Sequence, residues 1–116
     1  MLAKKYKISG RYRIERVFEK GKKISGRYFT LRYHASRTAL RFAVIMPAKL
    51  KVNAVMRNRI KRRLYELIRL SVYKTPAFLI EQPYDILLVA HRPEIAEMPF
   101  ETLQKEFVYL IKKIKW

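Results

Sequence analysis

Apolar residues recur at helical spacing in three stretches of the chain. The first stretch contains Ile14, Val17 and Phe18, and it predicts a short helix from Arg11 to Lys20 that the following glycine would stop. Ser9 is in place to cap this helix. A helix of about ten residues does not persist alone in water, so we expect it to dock on the rest of the fold.

The second helical stretch, residues 49–70, is also the most basic part of the chain. No helix breaker occurs between Pro47 and Pro76, and Asn53 is a good N-cap residue. Arg57 falls inside the apolar stripe of this helix, where an unpaired charge would be costly to bury. We therefore expect Arg57 to overhang a groove and to point at an anionic partner. At about 100° per residue, the apolar stripe consists of Ile60, Leu64, Leu67 and Ile68, with Met56 at its margin.

The stretch from Gly26 to Ala35 alternates in the manner of a strand. The residues expected to face a core are Phe29, Leu31 and Tyr33. The opposite face combines an aromatic ring, a hydroxyl and a cation, which are Tyr28, Thr30 and Arg32. Such a face suits RNA, and the alternation alone is equally consistent with an ordinary solvated sheet face.

Two short runs are almost continuously apolar and predict strands that are buried on both faces. They extend from Leu40 to Met46, which we expect to be a central strand, and from Tyr84 to Ala90. Residues 21–25 are expected to add a short edge strand, and Thr75 to Pro83 is expected to be a connection. The third helical stretch follows Pro99, and its apolar stripe is Phe100, Leu103, Phe107, Leu110, Ile111 and Ile114.

The resulting order is helix, strand, strand, helix, strand, helix. The two apolar strands flank the basic helix, which makes that helix a crossover on one face of a sheet. A two-layer α+β sandwich follows, formed by a single domain over residues 1–116 with a basic, flexible arm at 1–10. The general preference would make the crossover right-handed.

Charge is distributed very unevenly along this pattern. Of the 27 Lys and Arg, 20 lie in residues 1–65 against two Glu, which leaves seven against seven acids in residues 66–116. A solvated helix face normally mixes both signs, yet no acid occurs between Lys20 and Tyr65. One strongly basic surface is therefore expected, and its usual partner is a nucleic acid.

The same composition disfavours protein-borne catalysis. The chain has no cysteine, and its nine acids are scattered. Glu15 and Glu19 lie one helical turn apart, but pairing with neighbouring cations explains them better than metal binding does. His34 and His91 fall at strand ends without a third ligand at metal spacing. The longest apolar run, Ile86 to Ala90, is far too short to span a membrane, so we expect a cytoplasmic protein.

Four segments resemble the protein subunit of bacterial ribonuclease P. Residues 53–66, Asn-Ala-Val-Met-Arg-Asn-Arg-Ile-Lys-Arg-Arg-Leu-Tyr-Glu, are similar to the Arg-Asn-Arg motif of that family. Residues 16–22, 41–49 and 84–93 resemble its first helix, its central strand and its final strand. The resemblance covers roughly residues 8–115. It implies a sandwich like the second domain of ribosomal protein S5, with a left-handed β-α-β crossover at the basic helix.

The resemblance also implies a function without catalytic residues in the protein. The RNA subunit, with bound Mg²⁺, would hydrolyse the bond that joins the 5′ leader to precursor tRNA, and the protein alone would hold no metal. The partners would be the RNA subunit and precursor tRNA, without DNA or a membrane. The positions implied for RNA-subunit binding are Lys49, Lys51, Arg57, Asn58, Arg59, Lys61, Arg62 and Arg63.

A cleft between the first helix and the sheet would take the single-stranded leader. Ile14 stands where the family often carries an aromatic residue, so leader stacking is expected to shift to Tyr12. Phe18 has a competing interpretation as a core residue, because it lies on the apolar stripe of its helix. The positions implied for the leader cleft are Tyr12, Phe18, Tyr28, Thr30 and Arg32.

Composition alone is equally consistent with a second function class, a structural RNA-binding protein such as a small ribosomal protein. Residues 16–22, 41–49 and 84–93 favour the ribonuclease P subunit. A basic protein of membrane surfaces would expose Trp or Phe on Lys-rich amphipathic helices. Trp116 is the single tryptophan, and the strand pattern is that of a folded sheet.

Overall fold

A four-stranded sheet is the framework of the computed structural model, which describes residues 6–36, 39–74 and 83–114. The elements in chain order are α1 (Arg11–Lys20), β1 (Lys22–Ser25), β2 (Phe29–Ala35), β3 (Arg41–Ile45), α2 (Ala54–Lys74), β4 (Tyr84–Ala90) and α3 (Phe100–Ile111). The strands lie in the order β1-β2-β4-β3. Within the described ranges, no helix is long and apolar enough to cross a bilayer.

The pairing of the strands explains the path of the chain. Strand β2 pairs antiparallel with β1 and β4, whereas β3 and β4 are parallel. Two parallel strands require a crossover connection, and α2 supplies it. The predicted two-layer α+β class and the extra strand near residues 21–25 are thereby confirmed. The left hand implied for the crossover stays a prediction.

The main core lies on the sheet face that α2 and α3 cover. Alternation along β2 buries Phe29 and Leu31 completely, as the period of a strand requires. Phe107 of α3 contacts the sheet through two tilted ring pairs, with centroids 6.5 Å from Phe29 and 6.4 Å from Phe42. The α2 side chains in this core are Ile60, Leu64, Tyr65, Leu67 and Ile68.

A second, smaller cluster lies on the opposite face of the sheet. Val17 of α1 is fully buried there against Leu87 of β4 and Ala43 of β3. Ile8 joins this cluster from the segment before α1. The short helix is therefore docked on the sheet, as its length required.

Strand β3 lies at the edge of the sheet, so the prediction of a central strand was wrong. Its middle residues are nevertheless buried, because the segment before α1 covers its outer edge. The N–H of Ile8 donates to the carbonyl of Phe42 at 2.8 Å, and Lys7 forms a parallel bridge with the same residue. Residues 6–8 of the predicted arm are thus docked on the fold, and residues 1–5 lie outside the described part of the chain.

Of the two helix caps predicted from the sequence, one is present in the structure and the other is not. Asn53 caps α2 as predicted, since its Oδ1 accepts the N–H of Met56 at 2.8 Å. Ser9 does not cap α1, where Gly10 is the N-cap residue and no side chain accepts a hydrogen bond. Helix α2 begins at Ala54 because a 3₁₀ turn at Ala48–Leu50 precedes it.

Of the connection predicted from Thr75 to Pro83, residues 75–82 lie outside the described ranges.

Candidate nucleic-acid interface

The outer side of α2 carries an open set of polar and basic side chains. We call the exposed residues Asn58, Arg59, Lys61 and Arg62 the α2 basic face. Among the described residues, the four ion pairs lie elsewhere, and none joins this face to a carboxylate. Arg59, Lys61 and Arg62 therefore present three cations that the described part of the fold does not neutralise.

Arg57 is placed differently from the expectation of a side chain that overhangs a groove. It is half-buried, and its Nη1 donates to the carbonyl of Met46 at 3.2 Å. That carbonyl directly follows the last residue of β3 and needs a donor that the strand ladder does not provide. Arg57 therefore ties the start of α2 to the end of β3, and its role in RNA binding stays a prediction.

Arg63 has structural partners that the sequence did not reveal. Its guanidinium donates to the carbonyl of Ile95 at 3.0 Å and to that of Met98 at 2.6 Å. These carbonyls belong to the 3₁₀ turn at Pro93–Ala96 and the residues after it. Partial burial and the nearby charge of Arg59 lower the pKa of Arg63. No sequence pattern marks this contact, because Arg63 and Ile95 are 32 positions apart. The RNA-binding role implied for Arg63 stays a prediction.

Lys49 and Lys51 lie in the connection between β3 and α2, and both are exposed. Lys51 adopts the left-handed conformation, with φ 45° and ψ 61°, immediately after the 3₁₀ turn. This turn directs the chain from the end of β3 toward the start of α2. The two lysines thus stand beside the N-terminal end of the helix that carries the α2 basic face.

Helix α1 lies against the face of the sheet that carries Arg32 of β2. The guanidinium of Arg32 lies 5.0 Å from the ring centroid of Phe18, which is 38% exposed. Thr30 lies on the same face of β2 as Arg32, two residues away. Thr30 is adjacent to Val89, which in turn pairs with Ile45, and all three remain half-exposed. We call Phe18, Thr30 and Arg32 the α1 cleft, after the leader-binding cleft that the family resemblance implies.

Two residues assigned to the leader cleft lie apart from this group. Tyr12 is 72% exposed and shares the outer side of α1 with Glu15 and Arg16. Tyr28 precedes β2 in a bend and packs against the main core instead. Its backbone N–H donates to the carboxylate of Glu106 at 3.2 Å. The alternation that predicted the position of Tyr28 fails because the bend interrupts the strand.

The described residues do not bring together a set of metal-binding side chains. No group of three His, Cys, Asp or Glu side chains lies close enough together to hold an ion there. Glu15 pairs with Arg11 at 3.4 Å, as the sequence suggested for the carboxylates of this helix. The candidate site offers cations, an amide and an aromatic ring, which are groups that can bind phosphates and bases.

A family model described as ribonuclease P matches residues 2–115. The chain belongs to the ribonuclease P family. It is 38% identical over 116 residues to the ribonuclease P protein component of Syntrophomonas wolfei, with 97% of this chain and 90% of that one covered. It is 32% identical over 113 residues to the protein component of Caldanaerobacter subterraneus, with coverage of 97% and 92%.

Solved structures agree with this assignment. A mutant RNase P protein of Staphylococcus aureus, described as defective in mRNA degradation, is 25% identical with a TM-score of 0.73, covering 94% of this chain and 87% of that chain. The RNase P protein of Thermotoga maritima has a TM-score of 0.74 at 20% identity, with coverage of 95% and 98%, and it shows the shared fold. The chain is thus a protein subunit of ribonuclease P, an endoribonuclease of tRNA processing.

Proposed function

We propose that this subunit binds the RNA subunit of ribonuclease P through the α2 basic face, with Lys49 and Lys51 beside it. The observation that carries this proposal is the absence of carboxylate partners for Arg59, Lys61 and Arg62 within the described residues. Cations that repel one another on a single helix are stabilised by a polyanion. Arginine forks suit two phosphate oxygens, and an exposed side-chain amide such as that of the face's asparagine suits a base edge or a 2′-hydroxyl.

The distribution of these side chains favours folded RNA as the partner. At about 100° per residue, residues 58, 59, 61 and 62 spread over about 160° of the helix circumference. A concave surface would contact them more completely than a flat one. A helix that lies in a concave RNA surface would bring each side chain within reach of a phosphate or a base.

The α1 cleft is proposed to hold the 5′ leader of precursor tRNA. Phe18 would offer a ring on which an unpaired base can stack, and Arg32 would reach the adjacent phosphate. Thr30 adds a hydroxyl on the same strand face. A leader is single-stranded, and stacking on aromatic rings is the usual way in which proteins bind such strands.

The bond chemistry is proposed to belong to the RNA subunit. The described residues do not form a carboxylate cluster of the kind that two-metal nucleases use. Mg²⁺ would be bound mainly by the RNA and would supply the activated nucleophile and the charge stabilisation for hydrolysis. The protein would position precursor tRNA and screen the repulsion between two polyanions, in the cytoplasm and without a DNA or membrane partner.

Binding to the RNA subunit tests this proposal. The triple variant R59A/K61A/R62A removes three charges from the α2 basic face. We expect this variant to lose at least about 100-fold in affinity for the RNA subunit. The slope of log K against log salt, roughly −5 for the unchanged protein, should become shallower by about 2–3.

A charge-matched control removes three exposed cations that lie elsewhere, in R16A/K105A/K112A. Its total charge equals that of the first variant, so a difference in affinity between the two proteins reports where the charge was removed. We expect the control to keep most of its affinity for the RNA subunit. Equal losses in both variants would contradict a specific interface on α2.

A further inference from the structure

Asp85 is the one buried charged residue in the described part of the chain, at 7% exposure. It lies in β4 between two basic neighbours in the sheet, since it is paired with His34 of β2 and with Arg41 of β3. A carboxylate in such a position is costly unless it is paired and hydrogen-bonded. The proposed function uses neither Asp85 nor the residue whose side chain engages it.

That partner is Arg13, which reaches the sheet from α1. Its Nε donates to Oδ2 of Asp85 at 3.3 Å, and its Nη2 donates to Oδ1 at 3.1 Å. The same Nη2 donates to Oγ of Ser36 at 3.2 Å, just beyond the end of β2. Both carboxylate oxygens are thus engaged by one guanidinium, in the two-bonded arrangement that fixes direction as well as distance.

The remaining contacts of α1 with the sheet are mostly apolar. Val17 and Ile14 pack against Leu87 and its neighbours, and such contacts have little directional preference. Such contacts favour docking of the helix but specify its rotation about its own axis only weakly. The fork between Arg13 and Asp85 adds directional hydrogen bonds that specify this rotation.

The ion pair and the α1 cleft are formed by neighbouring parts of the same elements. Arg13 and Phe18 lie five residues apart on α1, and His34, the sheet neighbour of Asp85, lies two residues from Arg32 on β2. Both contacts are present together, since Nη2 of Arg13 lies 3.1 Å from Oδ1 of Asp85 and the guanidinium of Arg32 lies 5.0 Å from the ring centroid of Phe18.

We propose that Arg13 and Asp85 are positioning residues that hold α1 across the sheet and so keep Phe18 over Arg32 for leader binding. The inference rests on the proposed function of the α1 cleft. The pair is not required for the packing of the main core, which lies on the other face of the sheet. Loss of the pair should loosen α1 and leave the α2 basic face intact.

The raised pKa of Asp85 is consistent with a role other than stabilisation of the fold. Burial raises the pKa of Asp85, and the charges of Arg13, Arg41 and His34 offset this effect only in part. The ionised carboxylate is therefore less favourable in the folded protein than in the unfolded chain. Replacement of a buried ion pair by neutral groups is often neutral or stabilising, and the side chain of Arg13 is 28% exposed and can be hydrated.

The test uses Asp85→Asn and Arg13→Gln, with Arg16→Gln as the matched control on the exposed side of α1. Each protein is assembled with the RNA subunit, and affinity is measured for precursor tRNA and for the same tRNA without a leader. We expect the affinity ratio between these two RNAs to fall about five- to tenfold for Asp85→Asn and Arg13→Gln, and by less than about twofold for Arg16→Gln. Affinity for the RNA subunit should stay within about twofold of the unchanged protein.

Amide hydrogen exchange of the free proteins gives a second measurement. Exchange in α1 should become faster in Asp85→Asn and Arg13→Gln, whereas exchange in α2 and α3 should not change. An unchanged leader ratio with unchanged α1 exchange would overturn the inference and leave the proposed function standing. A lowered melting temperature with equal loss of both RNA affinities would assign the pair a purely structural role and would also overturn it. If the unchanged protein showed no leader-dependent affinity, the proposed function of the cleft would fail first.

Discussion

Lys23 of β1 and Arg32 of β2 lie directly opposite each other, as two cations on one face of the sheet. Like charges at directly opposed positions destabilise a strand pair. The guanidinium of Arg32 lies over the ring of Phe18, so this face also carries an aromatic surface beside the two charges. A phosphate group placed between the cations would remove their repulsion, so we expect the proposed leader-binding surface to extend onto β1.

Lys23→Ala should therefore weaken the binding of leader-bearing precursor tRNA to the assembled enzyme. We expect a loss of about fivefold and a salt slope that is smaller by about 1, as for one lost phosphate contact. Lys22→Ala is the matched control, because Lys22 is also exposed and is paired with Tyr33, so its side chain projects to the other face. Similar losses for both variants would show that only the overall charge of β1 matters.

Arg57 and Arg69 provide a comparison within α2. Arg69 pairs with Glu66 one turn away, and a hydrogen bond from Arg69 lowers the pKa of that carboxyl. The charge of Arg69 is thus already balanced, whereas Arg57 donates to the neutral carbonyl of Met46. We expect Arg57→Ala to weaken RNA-subunit affinity more than Arg69→Ala in a filter-binding titration. Equal losses would contradict an RNA-binding role for Arg57.

Arg62 and Arg63 are adjacent in sequence, but we expect Arg62 to contribute to RNA-subunit binding and Arg63 to contribute to stability. Arg63→Ala leaves the carbonyls of Ile95 and Met98 without their donor and should lower the free energy of unfolding by about 1–3 kcal/mol. Arg62→Ala removes an exposed cation and should change stability by less than about 0.5 kcal/mol while it weakens RNA-subunit binding. Urea unfolding and filter binding of both variants check this, and the reverse pattern would contradict the assignment.

Asp85 should make stability depend on pH in an unusual direction. Burial raises its pKa above the ordinary value of 3.8, so its contribution to stability is fully present below about 3.8 and is lost as the pH rises through the higher, folded-state pKa. Asp85→Asn lacks this ionisation. The free energy of unfolding of the variant minus that of the unchanged protein should therefore increase as the pH rises through this range, and then become constant. Urea titrations at a series of acidic pH values measure the difference, and a decrease with rising pH would be inconsistent with a raised pKa.

Local patterns in the sequence predicted most elements of the fold. Alternation placed Phe29 and Leu31 in the core, helical spacing gave α1 and α2, and Asn53 marked the start of α2. Strand β3 was misplaced because its apolar composition is that of an interior strand. The residues that shield its edge precede α1 by only a few positions and carry no strand pattern of their own.

The parts of the site that escaped prediction depend on contacts between distant residues. Arg13 and Asp85 are 72 positions apart, and Arg63 contacts a carbonyl 35 positions away. The periodic pattern of apolar and polar residues carries no information about such distant pairs. A count of cations could identify the basic helix, but it could not distinguish Arg62, which is exposed, from Arg63, which is committed to the fold.

The central claim is that this protein assists an RNA that performs the cleavage. Its most direct test is the rate of 5′ cleavage of precursor tRNA at low Mg²⁺, measured with the cognate RNA subunit alone and with the protein added. We predict that the protein increases this rate strongly, that R59A/K61A/R62A abolishes most of the increase, and that the charge-matched control variant retains it. A rate with the protein no greater than that of the RNA alone would contradict the claim.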